Sequence, residues 1–240
     1  MTLRVSFIVP LYQQYEYLPH ALESIALLDG DECSANVVVV NDGSTDCTER
    51  QVESVASDAT VLHHGVNRGK IAALNSSSDH LDGDWVVVLD ADDRVLPGFV
   101  RELHGAALAA GADFAYSGCR LVDEAGEEIG HGRSLPFRPG LIDEYSFIPD
   151  NALTRRDLFE SVLPLDESVR ILPKHYRWQV MCGEGASGAY VDAPLFEYRM
   201  HDANMSGVGA IVRSDLADGL EEHPLLSGYW RARVGTADDR

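Results

Sequence analysis

The sequence predicts an α/β fold: a mostly parallel sheet with helices packed on both faces. Two observations carry that expectation. Short apolar runs rich in β-branched residues recur at Val5-Ser6-Phe7-Ile8-Val9, Val37-Val38-Val39-Val40, Thr60-Val61-Leu62 and Trp85-Val86-Val87-Val88-Leu89, and each reads as a strand buried on both faces. Between and after them lie stretches with helical spacing, so strand and helix alternate over the first 110 residues. That order is what right-handed crossovers between parallel strands require.

Taken in order, the first strand is expected to stop at Pro10, which lacks a backbone donor. A helix follows over Leu18 to Leu28, with apolar residues at 18, 21, 22, 25, 26 and 28. The second strand runs straight into Asn41-Asp42-Gly43-Ser44-Thr45-Asp46, and Ser44 or Asp46 is expected to cap a helix from Thr48 to Val55. The third strand leads through His63-His64-Gly65-Val66-Asn67-Arg68-Gly69-Lys70 to a helix over Ile71 to Asn75. The histidines have no third ligand at metal-binding spacing and are read as structural. Arg68 and Lys70 are either two ordinary surface cations or a basic turn that reaches a diphosphate; the turn lacks the spacing of a Walker loop.

The fourth strand is expected to span Trp85 to Asp93 and to end in three carboxylates, Asp90, Asp92 and Asp93. Ligands of open α/β sheets bind at the carboxyl ends of strands, where such a cluster is well placed to hold a divalent cation. Asp also favours such turns for its own hydrogen bonding, which is the plainer explanation of any single Asp-x-Asp. A helix over Phe99 to Ala110 follows. After Tyr116 a hairpin is expected over Leu121 to Gly132, then a shaped loop with Pro136, Pro139 and Pro149, then a short helix over Arg155 to Ser161. Arg155, Arg156, Arg170, Lys174 and Arg177 reverse the local charge; they form a surface for an anion or pair with Asp157, Glu160, Asp166 and Glu167.

The formal net charge of −20 argues against non-specific binding to nucleic acid or an anionic membrane. Cysteines at 33, 47, 119 and 182 show no zinc-ligand spacing and read as reduced, buried thiols. The opening lacks a signal-peptide apolar stretch and no run approaches the roughly 20 apolar residues of a membrane span. A soluble cytoplasmic protein is therefore expected, with residues 209–240 as a loose tail that carries an aromatic patch at Tyr229-Trp230.

The ordered series Val5 to Tyr12, Val40 to Asp46, Asn67-Arg68-Gly69-Lys70 with Ala73 and Asn75, Leu89 to Asp93, Leu165-Asp166-Glu167-Ser168 and Tyr198 to Ser206 strongly resembles the family 2 inverting glycosyltransferases. The resemblance implies the A-type glycosyltransferase fold, Rossmann-like in its sheet, with residues 1–118 as a nucleotide-sugar-binding half and 119–208 as an acceptor-binding half of the same domain. It implies that Pro10 and Tyr12 line the nucleotide base, that Asp42 hydrogen-bonds a pyrimidine edge, and that Asp90 lies near ribose and metal. Asn67, Lys70 and Ala91 complete the nucleotide-binding set, Asp92 would coordinate Mn²⁺ or Mg²⁺, and His201 would close over the diphosphate or add a ligand. A carboxylate at Asp42 accepts from an imide N–H, which uracil and thymine have and cytosine lacks, so a UDP- or dTDP-sugar donor is favoured; guanine also presents an N–H. An Asx turn is the plain alternative for Asp42, and a lone loop histidine for His201.

One departure stands out. Relatives usually carry a Glu-Asp pair about four residues before a Trp, its Asp acting as general base; here Pro173 and Lys174 occupy those positions before Trp178. Three explanations follow: His175 is the base, Asp150 reaches the acceptor from its loop, or there is no protein base. The expected function is metal-dependent transfer from a nucleotide-sugar to a soluble small-molecule acceptor with inversion. The alternatives are a catalytically silent nucleotide-sugar-binding homologue and a transferase of polysaccharide assembly. A sugar nucleotidyltransferase is disfavoured because no glycine-rich basic loop follows the first strand.

Overall fold

The computed structural model describes residues 2–201 and residue 204. Its elements run β1 (Arg4–Leu11), α1 (Leu18–Ala26), β2 (Ser34–Asp42), α2 (Glu49–Val55), β3 (Thr60–His64), α3 (Lys70–Ser77), β4 (Trp85–Val88), β5 (Arg94–Val95), α4 (Phe99–Ala110), β6 (Phe114–Val122), β7 (Glu128–Gly132), α5 (Leu141–Glu144), β8 (Leu153–Arg155), α6 (Arg156–Ser161), α7 (Pro173–Gly183) and β9 (Gly188–Arg199). All nine strands join one sheet of order β3-β2-β1-β4-β8-β6-β9-β5, with β7 hairpinned onto β6.

Strands β3, β2, β1 and β4 are mutually parallel, as the alternation predicts. Beyond them the pairing is mixed: β8 runs antiparallel between β4 and β6, whereas β6 and β9 pair in parallel over nearly their whole length. The boundary expected near residue 118 falls inside β6, so the two halves share one sheet.

Period-two alternation divides the core into two layers. Val5, Phe7 and Val9 of β1 face one way, with Leu18 and Ile25 of α1, Val52 of α2 and Phe99 and Leu103 of α4. Ile8, Val38, Val40, Val86 and Val88 face the other, with Ile71 and Leu74 of α3, Phe159 of α6 and Trp178 of α7. Each such side chain stabilises the fold by about 1.5–3 kcal/mol relative to exposure. Among the described residues the cysteines are unpaired, and burial pushes the Cys33 and Cys119 thiols up to about 12, which leaves them inert.

Several boundaries differ from expectation. β1 does not stop at Pro10 but runs through it to Leu11: β4 ends opposite Ile8, so only β2 still flanks β1 at the proline. The fourth strand ends at Val88, not Asp93, because the chain turns with Asp93 N donating to Asp90 O at 3.0 Å. Helix α2 is capped by Thr48, in a reciprocal box with Gln51, rather than by Ser44 or Asp46. Those two instead brace the loop after β1: Gln13 N donates to Ser44 Oγ and Tyr15 N to Asp46 Oδ2. Tyr229 and Trp230 lie outside the described residues.

Two glycines mark close approaches. Gly43 sits at φ +71°, where a Cβ would come within 2.5 Å of the Val66 carbonyl carbon, so the loops after β2 and β3 touch backbone to backbone. Gly188 opens β9, and a Cβ there would lie 2.4 Å from Phe114 Cζ. The Phe114 ring cannot retreat easily, being packed on Trp178 and Phe137 at centroid distances of 4.7 and 5.3 Å. Gly188→Ala is therefore expected to destabilise the chain by about 1–3 kcal/mol through overpacking, read as a lower urea midpoint at unchanged slope.

Candidate functional site

The site forms where strands stop. β1, β2, β3 and β4 all end on one edge, and α3 begins there, so Leu11, Asp42, His64, Lys70 and Leu89 to Asp93 converge although they are far apart in sequence. β8 adds a carboxylate from the other direction. It pairs antiparallel with β4 at Trp85↔Arg155 and Val86↔Thr154, and Asp150, in the turn just before it, meets Asp90 through the Lys70 ammonium.

The turn after β4 gathers carboxylate oxygens of Asp90, Asp92 and Asp93 within 4.8 Å of one another. Asp92 is buried and accepts from Gln14 Nε2 at 2.7 Å; its Oδ2 also lies 2.9 Å from His201 Nε2. Asn204 Nδ2 donates to the same oxygen at 3.4 Å. Arg199 straps the turn from below, its amide donating to Asp93 Oδ1 and its Nε to the Asp92 carbonyl, while its guanidinium stacks over Tyr17. Tyr17 in turn stacks on His201. Burial, with Asp92 and Asp90 adding repulsion, pushes the Asp93 carboxyl well above the usual range. Asp90 is raised as well, by burial first, against the pull of Lys70. Hard oxygen donors that repel one another at this spacing are the donor set a small divalent cation needs, so these residues fit one.

Lys70, first residue of α3, reaches into the gap between strands. Its ammonium hydrogen-bonds both Asp90 Oδ1 and Asp150 Oδ2, the latter at 2.7 Å. Arg177 of α7, buried, donates from Nη2 to Asp150 Oδ1 at 3.0 Å. Burial would raise Asp150, but Lys70, Arg177 and Lys174 outweigh it and hold its carboxyl below the ordinary value. Both oxygens of Asp150 are thus engaged by cations.

Asp42 closes the end of β2. Its Oδ1 accepts from Arg68 N at 2.9 Å and lies 2.6 Å from His64 Nδ1, and its Oδ2 accepts from Gly69 N at 2.7 Å. The carboxylate thereby caps the entry to α3 and fixes the loop that carries Asn67 and Lys70. Arg170 covers that loop from outside, donating to Asn67 Oδ1 and the Arg68 carbonyl, while Arg68 pairs with Glu167.

Most of the expected residues come together here. Asp90, Asp92, Asp150, Lys70 and His201 form one contiguous network, with Asp42 and Asn67 beside it; Pro10 and the 45 % exposed Tyr12 end the neighbouring strand. Ala91 packs fully buried in the first core layer. His175 stands apart from this network. Half-buried on the first turn of α7, it has Lys174 and Asp143 as charged neighbours, and among the described residues its Nδ1 has no hydrogen-bond partner. Of the cations between 155 and 177, Arg155 pairs with Asp157 and Arg156 with Glu160, contacts worth about 0–1 kcal/mol at a surface. The sequence assigns no role to Gln14 or Tyr17, reads His64 as structural, and offers Arg170 as an anion-binding or acid-pairing cation, whereas it holds the loop at Asn67 and Arg68. Only His64 left a usable trace, because it is the register partner of Asp42 across β2 and β3.

The profile of "Glycosyl transferase family 2" matches residues 6–163. Succinoglycan biosynthesis protein ExoO of Rhizobium meliloti is 32% identical over 126 residues, covering 52% of this chain and 36% of that protein. ExoU of the same organism is 36% identical over 129 residues, 51% of this chain and 36% of its own length. The chain thus spans little more than a third of these relatives. S. aureus TarS 1–349 in complex with UDP superposes with a TM-score of 0.62 at 19% identity, covering 83% of this chain and 61% of that one. The same protein in complex with UDP-GlcNAc gives 0.64 at 18% identity, with 85% and 61% covered. At such identity the likeness speaks for the fold, the A-type glycosyltransferase sheet. With its profile match running from the first strand to past α6, the chain belongs to glycosyl transferase family 2.

Proposed function

We propose that this chain transfers a sugar from a nucleoside diphosphate donor, a UDP- or dTDP-sugar, with inversion at the anomeric carbon. The observation that carries the proposal is the pairing of a three-carboxylate turn with a buried ammonium, Lys70, at the carboxyl edge of a parallel sheet. The UDP bound by the structurally similar TarS supports the same donor class. Pro10, Tyr12, Asp42 and Asn67 bind the nucleoside end, with Asp90 and the Ala91 backbone beside the ribose. Asp92 with Asp90 and His201 would hold Mn²⁺ or Mg²⁺, which supplies charge neutralisation for the departing diphosphate. Lys70 adds a fixed positive charge on the same side. Attack by the acceptor opposite the diphosphate inverts the anomeric centre.

For the base, the environments favour His175 over Asp150. Asp150 has both oxygens in ion pairs, which suits it to orienting Lys70 and Arg177. His175 is lowered by burial and by Lys174, against Asp143, so the imidazole is neutral at pH 7 and able to accept a proton. The relatives named for succinoglycan biosynthesis favour a glycan under assembly as acceptor over the soluble small molecule expected from sequence. No helix among the described residues is long and apolar enough to cross a membrane. Residues 1–118, joined by His201, serve the donor, and the rest of 119–208 the acceptor.

Two outcomes test this reading. Mn²⁺ or Mg²⁺ at about a hundred times its Kd is expected to stabilise the wild-type chain by about 2.7 kcal/mol, seen as a rise in thermal midpoint that Asp92→Asn removes; an unchanged midpoint in the wild type would count against the cation. His175→Gln is expected to lower kcat by about 10²-fold or more. In the wild type kcat falls as acidification protonates His175, below the ordinary histidine value of about 6.5; the variant loses that acid limb. If its limb persists, the base lies elsewhere. Metal-dependent UDP binding without transfer or donor hydrolysis would identify a silent binding homologue.

A further inference from the structure

We propose that His64 is a specificity-determining positioning residue of the donor site, acting through Asp42 by fixing which lone pair of its carboxylate a nucleobase meets. The inference rests on the reading that Asp42 faces the donor base.

A carboxylate offers about four lone-pair positions, two on each oxygen. Among the described residues three are taken: Oδ1 by His64 Nδ1 and the Arg68 amide, Oδ2 by the Gly69 amide. The fourth lies on Oδ2. It is an acceptor, so it welcomes a ring N–H and repels a bare ring nitrogen, and it belongs to a side chain only 4% exposed. The two loop amides are backbone and hold their places, but together they fill only one position on each oxygen. His64 is what closes Oδ1. Because a carboxylate only accepts, the Nδ1 facing it must carry hydrogen.

The ring is itself held at the far end, where His64 Nε2 lies 2.9 Å from Ser76 Oγ on α3. Ser76 Oγ also donates to the Ala72 carbonyl at 2.8 Å. Strand register supplies the near contact, since Asp42 and His64 are partners across β2 and β3, and α3 supplies the clamp. The imidazole is only 7% exposed, so it does not compete for the ligand. With the ring gone, the loop amides still hold both oxygens, but Oδ1 regains a free lone pair beside the one on Oδ2, an acceptor for the exocyclic amine of cytosine. Discrimination between an imide N–H and the bare ring nitrogen of cytosine then relaxes.

The test is calorimetric titration of the purified chain with UDP, dTDP and CDP, with Mn²⁺ present, on wild type, His64→Ala, His64→Asn, Asp42→Ala and the His64→Ala/Asp42→Ala pair. The wild type is expected to prefer UDP and dTDP over CDP by at least about tenfold. His64→Ala should lose about tenfold in UDP affinity, the scale of a hydrogen bond to a charged group, and bring the ratio close to one. His64→Asn, whose amide N–H can stand where the ring Nδ1–H stood, should keep the preference, which separates positioning from mere filling. In the Asp42→Ala background His64→Ala should add nothing. If His64→Ala keeps the wild-type ratio, or weakens UDP equally with and without Asp42, this inference falls while the donor reading stands. A wild type that binds no nucleotide overturns the donor reading and this inference together.

Discussion

The ammonium of Lys70 is the contact on which the rest of the site depends. It lies between Asp90, at the end of β4, and Asp150, on the strand-like approach to β8, and so joins the parallel half of the sheet to the mixed half. Without it two buried carboxylates would face one another across the gap at several kcal/mol of cost. Arg177 and Asp150 extend the alternation of sign, so that a chain of net charge −20 keeps its own cations where an anionic diphosphate would need them. Carboxylates still outnumber cations there, and Lys70 and Arg177 are what is set among them.

That arrangement also bears on the departure at Pro173 and Lys174. Placing a lysine near Asp150 strengthens the hold on that carboxylate and moves it further from the role of a base. The same lysine depresses His175 next to it. Lys174 thus bears on two neighbours at once, favouring the charged form of Asp150 and the neutral form of His175.

Much of this was legible in the sequence because apolar runs with turn-forming ends announce strands whatever lies around them, and Phe99 to Ala110 matched its helix residue for residue. Caps and strand ends were less legible. Pro10 was read as a stop by a rule for central strands, while its actual neighbour on one side had already ended. Asp46 was read as a cap, though a nearer Thr48 with a Gln three residues on formed the better box. The parallel pairing of β6 with β9, and the reach of Lys70 to Asp150 across eighty residues, left no local trace. His64 was set aside because its partners were sought along the chain. Its partner Asp42 lies across the sheet, where spacing in sequence says nothing.

The strand β6 carries a further consequence. It begins in the half that would hold the donor and ends in the half that would hold the acceptor, and β9 runs beside it over that whole passage. Enzymes that clamp two substrates between separate lobes open and shut about a hinge, a few loop residues free to rotate. The ladder between β6 and β9 shifts register at Ser117, Gly118 and Cys119, yet both strands run on past the shift, so no loop separates the two halves. On the proposed division of the chain, donor and acceptor would meet across one strand pair, like jaws cut from one piece, and admission of the second substrate would fall to side chains and surface loops.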